Sequence, residues 1–230
     1  MIVARRESRR PQNDHDLGMT DSRHPLFARC LARSAAIAER KGADAMRRRL
    51  VEGLAGRVVE VGAGSGIQFR HYPAAVTEVV AVEPEPNLRA MAVAAAADAP
   101  VPVRVVAGLA HALPLADAWA DAAVCAGVLC SIEDPAAALR ELARVIRPEG
   151  ELRFYEHVPS SRPRAAALQR GLDATGIWRR AMGGCHTARR TDSAIMAAGF
   201  RVERLERFSF RPTLLDTPVA PKILGSARLP

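Results

Sequence analysis

The chain has 230 residues, 49% of them hydrophobic, and a formal net charge of +8 carried almost wholly by arginine, with lysine only at Lys41 and Lys222. That length suits one domain with a full core and is short for two, and the apolar content excludes a chain with no core at all. The arginines are scattered, with no RNA-binding motif, aromatic platform or basic helix among them, so nucleic acid is not the expected partner.

No apolar run reaches the about 18–20 residues of a membrane helix, and no hydrophobic stretch follows the arginines near the start, so neither stable membrane insertion nor a secretory signal is expected. Cys30, Cys125, Cys130 and Cys185 form no C-x-x-C pair. Neither a disulfide framework nor a metal cage is therefore read, and reduced thiols in a cytoplasmic setting fit.

Residues 1–23 are polar and lack periodicity, the composition of a disordered arm, and Met19 is a second candidate start of translation. Residues 24–230 are expected to form a single domain. Its first part, 24–56, reads as two helices. The stripe Leu26, Phe27, Cys30, Leu31 and Ile37 follows Pro25, and packing on a sheet edge and a lid over a substrate both remain open for it. The second helix presents Met46, Leu50, Val51 and Leu54 and is expected to stop at Gly56.

The stretch 57–157 carries the organising signal. RVVEVGAGSG, from Arg57 to Gly66, describes a buried strand entering a tight turn where backbone approaches a ligand. Gly62 and Gly64 match the start of a G-x-G-x-x-G pyrophosphate loop, but Ile67 occupies the third glycine position. The pattern is instead Glu60, Gly62, Gly64, Gly66. A carboxylate beside the turn repels a pyrophosphate and suits a cationic or zwitterionic ligand. The next strand, Glu78 to Val82, delivers Glu83 about 20 residues past the first glycine, where an acid accepts the two hydroxyls of an adenosine ribose.

Between these strands a short helix closed by Pro73 carries Gln68, Phe69, His71 and Tyr72. A helix from Leu88 into an alanine run follows, then a third strand at Val103 to Val106 and a turn at Gly108. Asp121 to Cys125 is apolar after its first residue, as a central parallel strand is, and Ala126 to Cys130 would form the floor of a cleft. A helix from Pro135 is expected to stop at RPEG, before a fifth strand, Glu151 to Tyr155. That strand places Glu156 and His157 at the carboxyl end of the sheet.

From Pro163 the βα rhythm fails. Helical pieces broken at Gly171 and Gly176, followed by GGCHTARRT, read as a substrate cap over 158–190. Residues 191–230 then hold a helix capped by Thr191 or Asp192 and ended by Gly199, an alternating strand from Phe200 to Phe208, and a partner strand from Val219 to Ala227.

The glycine loop at Glu60 to Gly66, the acid Glu83 and the phrase AGLAHALPLADAWADAAVCAGVLCSIEDP resemble the class I S-adenosylmethionine-dependent methyltransferases. The phrases LCSI, RPEGELRFYEHV and GGCHTARRT are similar to the thiol methyltransferase branch of that superfamily. The resemblance implies an α/β fold with a Rossmann-like seven-stranded sheet, mostly parallel with an antiparallel C-terminal strand and helices on both faces. It also implies S-adenosyl-L-methionine as cofactor, held by Glu60, Gly62, Ala63, Gly64, Gly66, Gln68, Glu83, Pro84, Gly108, Leu109, Ala110, Cys125 and Ala126.

Many relatives place an adenine-binding acid after the glycine that Gly108 matches; here Leu109 and Ala110 stand there, leaving apolar packing and backbone groups. Gln68 and Tyr72 border the methionine end in related enzymes, and for Tyr72 a core position is equally open. The implied activity is methyl transfer to a small molecule, a thiol being one acceptor. Carbon or oxygen methylation of a quinone or phenol is the alternative, and a protein that binds the cofactor without chemistry is the third. His157 is the candidate base, oriented by Glu156, with His186 as substitute, unless His157 is structural; Cys130 reads as a small core residue.

Overall fold

The computed structural model describes residues 25–211 and 217–230, and the side chains from Ala28 onward within the first helix. The expected arm over 1–23, with Met19, lies outside the described residues, as do the side chains of Leu26 and Phe27. The elements are α1 (Pro25–Ala38), α2 (Asp44–Val51), β1 (Gly56–Val61), β2 (Val76–Val82), α3 (Pro86–Ala96), β3 (Val103–Val106), β4 (Ala120–Ala126) and α4 (Pro135–Val145). They continue with β5 (Ile146–His157), α5 (Pro163–Thr175), α6 (Ile177–Ala181), α7 (Thr191–Ala197), β6 (Arg201–Ser209) and β7 (Pro221–Arg228). Among the described residues, no helix is long and apolar enough to cross a membrane.

The seven strands form one sheet in the order β3-β2-β1-β4-β5-β7-β6, in which β7 alone runs antiparallel to its neighbours. Strand β1 lies between β2 and β4, with Val59 paired to Val80 on one side and Ala123 on the other. Because successive residues of a strand point to opposite faces, β1 feeds two cores. Val59 and Val61 pack with Leu139 and Leu142 of α4 and Ile195 of α7; Val58 packs with Leu50 and Val51 of α2, Phe69 and Ala92 of α3. A strand covered on both faces has no polar side to show, which explains the unbroken apolar runs.

Helix starts follow local chemistry. Glu85 caps α3, its Oε2 accepting from Leu88 N at 2.6 Å, and Asp134 caps α4, its Oδ1 accepting from Ala137 N at 2.9 Å; Pro86 and Pro135 open those helices.

Several expected boundaries move. Helix α2 ends at Val51, and Gly56 (φ 73) opens β1, because a Cβ there would sit 2.3 Å from Asp121 Oδ2, which accepts from Arg57 N at 2.6 Å. The stretch RPEG is not a turn before the fifth strand but a bulge within it. Ile146 pairs with Ala120 and Glu151 with Ala122, while Arg147 holds Asp121 at 2.7 Å. The helix after the glycine loop is a single 3-10 turn, Phe69–His71. Gly171 lies inside α5 without breaking it, and Gly176 (φ 68) ends that helix. Neither Thr191 nor Asp192 caps α7: Thr191 Oγ1 lies 3.5 Å from His157 O, and Asp192 pairs with Arg207. Leu31 and Ile37 of α1 are exposed, so that part of the expected stripe is not covered.

Gly225 lies in β7 opposite Phe154 of β5 and Leu205 of β6. A Cβ on it would stand 2.3 Å from Arg204 O and 2.6 Å from the Phe154 ring. Gly225→Ala is therefore expected to destabilise the protein by about 1–3 kcal/mol through overpacking. Urea unfolding checks this: the midpoint should fall at unchanged slope, and an unaltered midpoint would refute the close approach.

Candidate active site

The carboxyl ends of β1 and β2 build the first half of the site. Leaving β1, the backbone N–H groups of Gly62 and Ala63 both reach Val82 O, at 2.8 and 3.3 Å, and Gly62, Gly64 and Gly66 all have positive φ. A Cβ on Gly62 would strike Val128 at 2.5 Å, and one on Gly66 would strike Phe69 at 2.7 Å, so these two glycines serve packing. Gly64 differs, because nothing lies within 4 Å of where its Cβ would be. Its backbone borders open space that a ligand can fill.

Glu83, at the end of β2, is 5% exposed. Its Oε2 accepts from Gly64 N at 2.8 Å and its Oε1 from Glu85 N at 3.0 Å. Burial pushes its carboxyl above the usual range while the two N–H groups hold it down. Each carboxylate oxygen keeps a second lone pair for a hydroxyl donor. Beside it, Pro84 O accepts from Arg89 Nη1 at 2.9 Å. Gly108 is buried against Val82 and Pro114, and Leu109 bridges to Ala112; Ala110 packs on the core, so apolar side chains line this turn.

Below the loop, Glu60 is buried and its Oε2 accepts from Tyr72 OH at 2.7 Å. Burial pushes its carboxyl up to about 7, opposed by the Tyr72 hydroxyl and by the charge of Arg47. Tyr72 is 3% exposed and packs in the core, with its hydroxyl on Glu60. Gln68 is buried too: its Nε2 donates to Arg47 O at 3.1 Å, while its Oε1 has no hydrogen-bond partner. A buried acceptor without a donor is costly, and a cationic ligand would supply one. Arg47 itself is anchored by Glu39 Oε1 at 2.7 Å, a support from the N-terminal helices that sequence reasoning missed. Cys125 is buried mid-sheet, with Val61 and Phe154 as strand partners and its thiol pushed well up by burial, whereas Ala126 ends β4 half-buried.

The second half of the site lies at the tips of β4 and β5. His157 Nδ1 is 3.3 Å from Cys185 Sγ and 3.4 Å from Cys130 Sγ, and the two sulfurs are 4.0 Å apart. Glu156 does not orient His157, because neighbouring strand residues face opposite ways. Its carboxylate instead accepts from Val128, Leu129 and Cys130 N at 2.9, 3.0 and 3.1 Å, shaping the loop after β4. His186 does not join the cluster either. Its ring Nδ1 is 4.0 Å from Asp173 Oδ2 of α5, burial lowers its proton affinity, and only its backbone N reaches Cys130 O, at 2.9 Å.

Cys130 has the burial of a core residue, but its sulfur belongs to this cluster. Cys185 and Lys222 are the residues the sequence reading overlooked. Lys222 lies opposite His157 on β7, with Nζ 4.7 Å from the Tyr155 ring centroid, and burial lowers its pKa to about 8. It also lines a cavity of about 820 Å³ shared with Val158, Gln169, Arg190, Asp192 and Phe208.

The residue set suits a nucleoside that carries a positive charge: open backbone at Gly64, a buried acid at Glu83, a second at Glu60 and an unpaired acceptor at Gln68. Comparison with known proteins agrees. Residues 59–154 match the methyltransferase domain family. The thiol S-methyltransferase TMT1B of Rattus norvegicus is 34% identical over 174 residues, 74% of this chain and 69% of that one. Its Mus musculus counterpart is 36% identical over 182 residues, covering 77% and 73%. A solved S-adenosylmethionine-dependent methyltransferase from Thermotoga maritima shares the fold, with TM-score 0.65 and 20% identity over 89% of this chain and 97% of that one.

Glu60 generates a pH prediction. Its carboxyl binds a proton more tightly folded than unfolded, so the stability it contributes is complete below about pH 4.5 and is lost as pH rises through about 7. Relative to Glu60→Gln, the cofactor-free parent should lose roughly 3 kcal/mol of unfolding free energy across that window. Denaturant titrations of both proteins at several pH values check this, and a difference that stays constant with pH would contradict it.

Proposed function

The chain belongs to the class I S-adenosylmethionine-dependent methyltransferases, and from that premise we propose that its methyl acceptor is the sulfur of a small thiol. The similarity to thiol S-methyltransferases, at 34% and 36% identity over about three quarters of the chain, carries the reading. S-adenosyl-L-methionine is the cofactor, and when bound it supplies a methyl group on a sulfonium whose departure leaves a neutral thioether.

The chain's own residues bind and align. Glu83 takes the ribose hydroxyls on the lone pairs that Gly64 N and Glu85 N leave free. Gly64 lets the cofactor lie against the backbone, Leu109 and Ala110 pack on the adenine, and Glu60 and Gln68 Oε1 receive the ammonium of the methionine end. Alignment of this kind is worth about 7–11 kcal/mol of a barrier. A thiol of pKa about 8.5 is mostly protonated at neutral pH, and a nearby cation raises its thiolate fraction. Lys222, at the cavity wall, is that cation. The stretch 158–190, with α5 and α6, caps the acceptor. A cytoplasmic, reducing setting is part of the reading because the four cysteines show no disulfide-framework spacing in the sequence. The acceptor is taken to be a small molecule on the similarity to thiol S-methyltransferases, with Arg162, Arg170, Arg190, Arg207 and Arg211 lining the cavity beside Lys222.

Two measurements test the reading. Glu83→Ala should weaken cofactor binding by about 10-fold to 100-fold in calorimetry, the loss of a charge-assisted hydrogen bond; unchanged affinity would remove Glu83 from the ribose site. A panel of small thiols, quinols and phenols should yield S-methylated products with stoichiometric demethylated cofactor. Products from quinols or phenols only, or tight cofactor binding with no product, would assign the alternative chemistry or a binding protein.

A further inference from the structure

We propose that Cys130, His157 and Cys185 form a mononuclear zinc site with three protein ligands and a fourth coordination position open to a thiolate. The argument starts from distances. Zinc bound tetrahedrally at about 2.3 Å from sulfur and about 2.05 Å from nitrogen places sulfur about 3.8 Å from sulfur and about 3.6 Å from nitrogen. The cluster has its sulfurs 4.0 Å apart and His157 Nδ1 at 3.4 and 3.3 Å from them, each edge within about 0.3 Å of that figure. The three donor atoms already occupy three corners of the tetrahedron.

Hydrogen bonds can serve the contacts of Cys130 Sγ with Ser131 Oγ at 3.6 Å and with Cys185 Sγ at 4.0 Å, but not both sulfur contacts at His157 Nδ1. One ring nitrogen carries either one proton or one lone pair, so it serves one thiol at a time, yet both sulfurs crowd the same Nδ1 atom. A shared cation satisfies both. Two thiolates and a neutral imidazole around a divalent ion sum to zero charge, which suits a site where Cys130 is 0% and Cys185 5% exposed. Thiolate and imidazole ligands together select zinc over magnesium or calcium.

The surroundings hold the ligands as outer-shell groups do in metal sites. Glu156 fixes Cys130 through its backbone N at 3.1 Å. Arg189 ties down the same loop, donating to Leu129 O at 2.8 Å and to Ile132 O, and His186 N binds Cys130 O at 2.9 Å, which locks the residue after Cys185 to the first ligand. Gly184 permits this approach, since a Cβ on it would stand 2.6 Å from Ser131 O. Among the described residues no fourth His, Cys, Asp or Glu joins the cluster, and three protein ligands is the count of a catalytic zinc.

The role of that open position rests on the thiol reading above. A thiol entering it displaces water, gives its proton to solvent and binds as thiolate. Its sulfur pair then forms the bond to the methyl carbon, and the pair of the broken bond stays on the departing cofactor sulfur. The neutral thioether product, a weaker ligand, leaves.

Metal binding is tested without substrate or cofactor. The reduced full-length chain, free of affinity tag, is titrated with Co²⁺ and then Zn²⁺. One equivalent of Co²⁺ should produce a thiolate-to-cobalt charge-transfer band and the visible bands of tetrahedral cobalt, both abolished by Zn²⁺. Cys185→Ser and Cys130→Ser should each weaken binding by at least about 100-fold, beyond the about 10-fold to 100-fold cost of an outer-shell change, whereas Cys30→Ser should bind normally.

Should the variants misfold, the parent still decides: Zn²⁺ should protect Cys130 and Cys185, but not the exposed Cys30, from alkylation mapped by mass spectrometry. Absence of the thiolate band, equal alkylation with and without zinc, or a Cys130–Cys185 disulfide in the reduced preparation would overturn the site. Metal binding as expected with no thiol turnover would overturn only the acceptor.

Discussion

Strand β1 has β2 on one side and β4 on the other, and everything functional in the protein depends on that placement. The chain lays down β1, β2 and β3 in one direction across the sheet, then returns to β1 and continues the other way with β4 and β5. Loops leaving β1 and β4 touch where Gly62 approaches Val128 and then lead to opposite sides of this reversal in strand order, the place where sheets of this type bind ligands. The glycine loop and Glu83 stand on one side, with the loop of Cys130, His157 and Lys222 on the other.

Three glutamates, Glu60, Glu83 and Glu156, are buried around this reversal. Each would be expensive as an unpaired charge, and each has been given different partners. Glu156 is met by three backbone N–H groups of one loop and acts as a structural staple. Glu83 is met by two and retains capacity for a ligand. Glu60 has only one phenol and remains the acid most sensitive to whatever charge arrives. The gradation runs from the tip of β5 to the glycine loop, from a carboxylate fully occupied by its own backbone to carboxylates with lone pairs to spare.

The parts of the molecule that could be read from the residues are those governed by local or periodic rules. Strand β4 differs from expectation by one residue at each end, because a strand buried on both faces advertises itself as an apolar run, and β3, an edge strand with Arg104 exposed, still has the expected bounds Val103–Val106 from its β-branched residues. The start of β5 was hidden because RPEG has turn composition while its neighbours Ala120 and Ala122 impose a bulge. Pairings across long separations were hidden more deeply. Cys130 and Cys185 show no metal-ligand spacing, and only the return of the 182–190 loop over the tip of β4 joins them. One signal was available: Cys130 follows β4 and His157 ends β5, and adjacent parallel strands bring their carboxyl ends together. Tyr72 illustrates the remaining class, since it follows a 3-10 turn while its neighbour Glu60 comes from β1, and no local pattern distinguishes a core phenol from a pocket one.

Strand β7 is the last strand of the described chain, yet it lies inside the sheet, between β5 and β6. During synthesis, β5 must therefore stand with an open edge until about seventy further residues have left the ribosome, a wait of several seconds at about 5–20 residues per second. The nascent chain meanwhile carries an unpaired strand edge, the kind of surface that recruits other strands. Closure by β7 completes the ladder to β5, brings Lys222 opposite His157, and gives β6 its partner in the same step. Closure of the open edge of β5 and placement of Lys222 opposite His157 are thus one event, so molecules that fail to finish folding lack both.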